Sequence, residues 1–160
     1  MNTVKNTLPN DEYFMAEAIK EAQKAFLIDE VPIGAVLVYN DKIFARAHNK
    51  KITKKSSIAH AEIEVIQKAT KKNGDWRLKD MTLYITVEPC LMCAGAIIHS
   101  RIGKIVYGCK EPKMGAINSI YKVFNNKKAH HKPIVKTGVL EKDCGDIISR
   151  FFKDKRKRGS

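Results

Sequence analysis

The stretch "TLYITVEPCLMC", Thr82 to Cys93, decides how the chain is to be read. With Met81 in front, its first half is an apolar run rich in β-branched and aromatic residues, which predicts a strand over Met81 to Val87. Pro89 follows at once and suits the first turn of a helix, so a helix is predicted from there to about Ser100. Cys90 and Cys93, three apart, share one face of that first turn. Helix amino termini stabilise negative charge, so both thiols ionise more readily there, and the thiolate is the form a metal requires.

Similar signals run along the rest of the chain. Apolar residues at Phe14, Met15, Ala18, Ile19, Ala22, Ala25 and Phe26 have the three-and-four spacing of a helix with one buried stripe. "VPIGAVLVYNDKIFARAHN" (Val31 to Asn49) gives two apolar runs about a turn at Asn40-Asp41, the pattern of a β-hairpin. The next helix is predicted over Ile58 to about Lys72, started by Ser56 or Ser57 and stopped at Asn73-Gly74. "KIVYG" (Lys104 to Gly108) is another strand, and residues 110 to 132 read as a loop with one short helix around Ser119 to Phe124. A fifth strand near Ile134 to Lys136 and a final helix marked by Leu140, Cys144, Ile147, Ile148 and Phe151 complete the pattern. Strand and helix signals alternate without a linker or repeat. The expected fold is α/β: one domain over residues 1–160, a three-layer α/β/α sandwich around a mixed sheet of about five strands. Residues 1–10 are expected to be a flexible amino-terminal tail and 153–160 a basic carboxy-terminal one.

A chain of 160 residues is long enough to bury a core without covalent staples. No apolar run approaches the ~18 residues of a membrane span, and the amino terminus lacks the charged-then-apolar order of a secretory signal, so a cytoplasmic protein is expected. Thirty Lys and Arg against 17 Asp and Glu leave a net charge of +13, partly clustered in "KKITKK" (Lys50 to Lys55), "NKKAHHK" (Asn126 to Lys132) and the terminal "KDKRKRGS". A polyanion is the natural partner for such a surface, although charge runs also serve solubility alone. Four cysteines in a chain without a signal read as metal ligands or buried thiols rather than a disulfide framework.

On its own, Pro-Cys-x-x-Cys fits a redox pair or part of a larger zinc knuckle. "HAEIEVIQKA" (His60 to Ala69) narrows the choice, because it places an imidazole and a carboxylate at the start of another helix. Two thiolates and one imidazole leave the fourth tetrahedral position to water, the arrangement of a catalytic rather than a structural zinc. His60, Cys90 and Cys93 are therefore the expected ligands of one zinc ion per chain, with Glu62 beside the bound water. Glu64 reads as an exposed helix carboxylate, and Cys109 and Cys144 as small buried hydrophobes. His48, His99, His130 and His131 lack a comparable setting and are not taken as ligands.

"HAE" followed thirty positions on by "PCLMC" resembles the signature of the cytidine deaminase-like zinc hydrolases. "EVPIGAVLV" (Glu30 to Val38), "ARAHN" (Ala45 to Asn49), "TLYITVEPCLMCAGAIIHSRIGKIVYG" (Thr82 to Gly108) and "FFKDKRKR" (Phe151 to Arg158) further resemble the bacterial tRNA-specific adenosine deaminases, from Tyr13 onward. The resemblance implies zinc on His60, Cys90 and Cys93, proton transfer by Glu62 and a hydrogen bond from Asn49 to the purine. It also implies pocket walls at Val31, Pro32 and Ile33, backbone groups of Ala61 and Glu88 near the reacting base, and a homodimer. One position departs from the family: Glu111, in "KEPKMGA", stands where an Asp commonly approaches the ribose or anticodon loop. The expected reaction is hydrolysis of adenosine to inosine at the first anticodon position of tRNA. The anticodon arm is the partner, and Phe152, Lys153 and Arg156 offer a stacking surface within a cationic stripe. Phe151 continues the buried stripe of its helix. Two rivals differ observably: a free-base or nucleoside deaminase would not need the basic surface, and a zinc-stabilised RNA-binding module would release no ammonia.

Overall fold

The structure is a computed structural model that describes residues 8–159. Nine main elements follow one another: α1 (Asp11–Leu27), β1 (Gly34–Tyr39), β2 (Lys42–His48), α2 (Ala61–Asn73), β3 (Thr82–Val87), α3 (Leu91–His99), β4 (Lys104–Cys109), β5 (Ile134–Thr137) and α4 (Glu141–Arg158). Strand order is β2-β1-β3-β4-β5; β1 is antiparallel to β2 and β3, while β3, β4 and β5 run parallel. The sheet is mixed, as the sequence predicts.

Alternation along the strands feeds two cores. Leu37, Leu83, Ile85, Ile105 and Tyr107 point to the face covered by α2 and α3, where Ala61, Val65, Ala69, Ala94 and Ile97 meet them. Val36, Val38, Tyr84 and Val106 point to the other face and pack on Phe14, Met15 and Ala18 of α1 and Cys144 of α4. Because every central strand is covered on both sides, its sequence reads as a near-continuous apolar run. A small residue is obligatory where α1 crosses β1: a Cβ at Gly34 would lie 2.0 Å from the Ala18 carbonyl oxygen.

Several boundaries differ from expectation for local reasons. Of the residues expected as an amino-terminal tail, 1–7 lie outside the described residues, and Asn10 caps α1 by accepting the Tyr13 N–H at 2.9 Å. Helix α2 begins at Ala61 rather than Ile58, because residues 50–59 form a turn-rich loop closed by the Lys50 N–H donating to the Ala59 carbonyl. Neither Ser56 nor Ser57 caps α2; its N-cap is His60. The short helix expected around Ser119 to Phe124 is a single 3-10 turn, Val123–Asn125. Lys153 to Arg158 belong to the last turns of α4.

Candidate active site

Two helices begin at the same place. His60 is the N-cap of α2 and Cys90 the N-cap of α3, both with extended backbone and neither using its side chain to cap its own helix. Both side chains therefore remain free to point elsewhere, and Cys93, one turn into α3, joins them. The His60 Nδ1 lies 3.6 Å from Cys90 Sγ and 3.6 Å from Cys93 Sγ, and all three ligand atoms lie within 4.8 Å of one another. A tetrahedral ion holding thiolate at about 2.3 Å and imidazole at about 2.0–2.1 Å requires nitrogen–sulfur separations of about 3.6 Å. The three residues thus match a tetrahedral metal site with one position left for another ligand.

The charges reinforce that geometry. The thiol of Cys90 is held below its ordinary pKa, first by its hydrogen bond with Cys93 and, against burial, by that with His60. Cys93 is pushed up by the hydrogen bond with Cys90 and by burial. Its hydrogen bond with Cys90 raises His60 as well, against burial. These are the protons that a divalent cation displaces on binding. Glu62, in the first turn of α2, is buried, and burial lifts its carboxyl to about 7. A proton carrier poised between charged and neutral forms stands beside the ligand set.

The expected pocket residues are drawn together by hydrogen bonds. Asn49 is buried; its N–H donates to the Ile33 carbonyl at 3.0 Å, its side-chain amide to the Val31 carbonyl at 3.3 Å, and its Oδ1 accepts from the Lys51 N–H at 3.1 Å. One amide proton and one lone pair of Asn49 remain for a ligand. Pro32 is buried between half-buried Val31 and Ile33. Ala61 is the first residue of α2, so its N–H has no acceptor within the helix. Glu111 folds back on its own loop, with Oε1 accepting the Lys113 N–H at 2.9 Å. Phe152, Lys153 and Arg156 are exposed on α4, away from the ligand set in sequence but not unconnected to the pocket. Arg158 donates to Asp29 at 2.8 Å, and Asp29 immediately precedes the Glu30–Ile33 segment, so the basic end of α4 lies against the chain leading into the pocket wall.

Two readings are corrected. Glu64 is not an exposed carboxylate: it is 6% exposed and accepts from Lys54 Nζ at 2.7 Å, because the 50–59 loop folds over that side of α2. Cys109 is only partly buried, at the end of β4, with its thiol 3.5 Å from the Thr86 carbonyl; Cys144 is fully buried as expected.

Sequence reasoning missed Glu30 and, having named Glu88 only for its backbone, the part played by the Glu88 carboxylate. Glu30 is 1% exposed, and its Oε1 accepts from the N–H and hydroxyl of Thr53 at 2.6 and 2.9 Å, fastening the lysine-rich loop beside the pocket wall. The side chain of Glu88 is likewise buried among donors. The available signal was the position of both acids beside continuous apolar runs, since a carboxylate is buried only where donors await it.

Comparison with known proteins agrees with this geometry. The family model of the MafB19-like deaminases matches residues 9–156. A tRNA-specific adenosine deaminase of Bacillus subtilis (strain 168) is 50% identical over 151 residues, covering 94% of each chain. One from Agrobacterium fabrum is 43% identical over 144 residues, covering 90% of this chain and 95% of that protein. Among solved structures, one from studies of A-to-I editing by tRNA:A34 deaminases superposes with a TM-score of 0.82 at 43% identity, covering 84% of this chain and 98% of the other. A guanine deaminase from Nitrosomonas europaea shares the fold, with a TM-score of 0.78 at 20% identity over 94% of this chain and 88% of that one. Ligand spacing, the adjacent buried carboxylate and near-full-length likeness to these relatives converge, and the chain belongs to the tRNA-specific adenosine deaminases within the MafB19-like deaminase family.

Proposed function

We propose that this protein hydrolyses adenosine to inosine at the first anticodon position of tRNA, releasing ammonia, with one zinc ion held by His60, Cys90 and Cys93. The observation that carries the reading is the meeting of those three ligand atoms within 4.8 Å at two helix amino termini, with buried Glu62 two residues after His60 in the first turn of α2. The relatives named for tRNA-specific adenosine deamination, together with the net charge of +13, favour an RNA substrate over a free base.

When bound, zinc lowers the pKa of a coordinated water to about 7, making a nucleophile available at neutral pH. Glu62 would accept a proton from the attacking water and deliver it to N1 of the adenine as C6 is attacked. The carbon then carries hydroxyl and amino groups together. A second transfer through Glu62 moves the hydroxyl proton to the amino group, the C6–N bond breaks, and ammonia leaves behind the hypoxanthine base. Asn49 holds the purine through its remaining amide proton, and Val31, Pro32 and Ile33 wall the base in. The first N–H of α2, at Ala61, and the positive end of the α3 dipole favour negative charge growing at the reacting carbon's oxygen.

An anticodon loop suits such a pocket because its bases are already unpaired, so no duplex need be opened. Lys153 and Arg156 grip phosphate without reading sequence, while exposed Phe152 offers a ring for stacking. The same reading takes the protein as a cytoplasmic homodimer. The exposed apolar side chains of Leu91, Ile58, Met114 and Ile120, at 47, 53, 56 and 51%, favour burial against a second copy. The test is incubation with a panel of unmodified tRNAs bearing adenosine at the first anticodon position, followed by nucleoside analysis. Inosine in some members and release of one ammonia per inosine are expected; deamination of free bases with no change in any tRNA defeats the proposal.

A further inference from the structure

Glu88 lies between the last residue of β3 and the Pro89-Cys90 pair that opens α3, and its side chain is 3% exposed. Such a carboxylate needs compensation, yet no ion pair to it occurs among the described residues. Among the described residues it is met only by donors from the loop that follows β4. Oε2 accepts the consecutive backbone N–H groups of Ile117, Asn118 and Ser119 at 3.1, 3.0 and 3.1 Å. Oε1 accepts the Ser119 hydroxyl at 2.5 Å and the Glu111 N–H at 3.3 Å. Successive N–H groups converging on one oxygen form a nest, the backbone arrangement that receives an anion. Here the anion is built into the chain.

The neighbouring residues continue the attachment. The Ala116 N–H donates to the Pro89 carbonyl at 2.9 Å, and Cys90 pairs with Gly115 in an isolated bridge. Room at Gly115 is exhausted: a Cβ there would stand 2.5 Å from Oε2 of Glu88. Residues 88, 89 and 90 therefore hold residues 111–119 in succession, and the last of the three is a metal ligand. Lys113 and Met114 in this loop, and Ile120 and Tyr121 directly after it, are exposed.

The geometry points to Glu88 as a positioning residue, whose carboxylate locks the 111–119 loop in register with Cys90 and so fixes one wall of the substrate site. This rests on the deaminase reading given above. Every group facing the carboxylate donates, so the site demands acceptors. Glutamine can still satisfy most of it: its carbonyl takes the three N–H groups of the nest, its amide donates to the Ser119 oxygen, and only the Glu111 N–H is lost. Alanine satisfies none of it, and adding Ser119→Ala to Glu88→Gln removes the acceptor on which the glutamine amide depends.

The test is a graded series, Glu88→Gln, Glu88→Gln with Ser119→Ala, and Glu88→Ala, read by hydrogen exchange, metal content and kinetics on an anticodon-arm RNA. In Glu88→Ala the amides of residues 117–119 are expected to exchange faster while those of β3 and β4 stay protected. Zinc is expected to remain at one per chain, and KM to rise by roughly tenfold or more with kcat changed less, as charge-assisted bonds to the loop are lost. Glu88→Gln, which keeps the nest bonds but loses their charge assistance, should show a smaller rise in KM and smaller exchange changes than Glu88→Ala, and the double variant should fall between the two. Should Glu88→Ala fail to fold, the single and double glutamine variants carry the same comparison. Unchanged exchange at 117–119, or unchanged KM in both the alanine and the double variant, overturns the inference, as does loss of zinc from a protein whose loop amides stay protected. Exchange is read without substrate, so a wild-type protein that makes no inosine defeats the functional reading while the loop attachment is still decided.

Discussion

Adjacent phenylalanines on α4 are expected to respond in opposite ways. Phe151 is 1% exposed, its ring meeting Phe26 edge-on at 5.7 Å with Lys155 Nζ 5.3 Å from its centroid. Truncating a buried Phe to Ala costs about 3–5 kcal/mol. For a chain of this length each kcal/mol lowers the melting temperature by about 2–4 °C, so Phe151→Ala should melt roughly 6–20 °C below the wild type. Phe152 is 42% exposed, and Phe152→Ala should stay within about 1 kcal/mol of wild-type stability. Its effect belongs to RNA binding. Loss of one stacking contact is worth ~1–3 kcal/mol, or about five- to 150-fold in affinity for the anticodon arm, with little change in the salt dependence. Calorimetric melting and a binding titration at several salt concentrations separate the two substitutions. A Phe152 variant that melts early and binds normally, beside a Phe151 variant that melts normally, would refute the assignment of inner and outer rings on α4.

Removing residues 153–160 deletes five basic residues and one Asp, so affinity for the anticodon arm should fall and the slope of log affinity against log salt should become shallower, while turnover at saturating RNA stays near wild type. Elemental analysis should find one zinc per chain in wild type and in a Cys109→Ala, Cys144→Ala double variant, and none retained after His60→Ala; loss of metal from the double variant contradicts the ligand set. Glu62→Gln should keep zinc and RNA affinity but lose ~10²–10⁴-fold in turnover, whereas Glu64→Gln, whose carboxylate accepts from Lys54, should remain active. Acid should weaken the fold through Asp11. Burial raises its pKa, but the hydrogen bonds from Lys136 and Tyr84 and the positive charges of Lys104 and Lys136 together outweigh burial and hold it below the usual aspartate value. A depressed folded-state pKa gives stability that is complete above the unfolded pKa and lost as pH falls through the folded one, so Asp11→Asn should lose less melting temperature than wild type as the pH is lowered through and below the ordinary aspartate value of 3.8.

Most of the sheet was legible because its strands are buried on both faces and announce themselves as apolar runs, and the order β-α-β around α3 followed from the run ending at Val87, from Pro89 after it and from the apolar Lys104 to Gly108 run beyond. The ligand set was legible because His60, Cys90 and Cys93 each stand at a helix start, and helix starts have local chemistry. What the sequence concealed is non-local. Glu64 looks like a surface acid until the 50–59 loop brings Lys54 over it, and that folding also moves the start of α2 from Ile58 to Ala61. Glu88 sits in an apolar context with nothing nearby in sequence to receive it; its donors lie between 23 and 31 residues further on. Hydrogen bonds over such distances leave no periodicity. The helical state of Lys153 to Arg158 escaped for a related reason, since basic residues alone set no helical stripe, and the Arg158–Asp29 contact that orients them spans 129 positions.

The most direct measurement uses one RNA and one product. An anticodon arm with adenosine at the first anticodon position, and a control arm with its only adenosines paired in the stem, are each incubated with zinc-loaded protein and with Glu62→Gln, then digested and examined for inosine. Inosine in the first arm alone, made by the wild type and suppressed by about two to four orders of magnitude in Glu62→Gln, is the expected result. No inosine in either arm from a protein that carries one zinc per chain, or equal conversion of both arms, would contradict wobble-position deamination by this site.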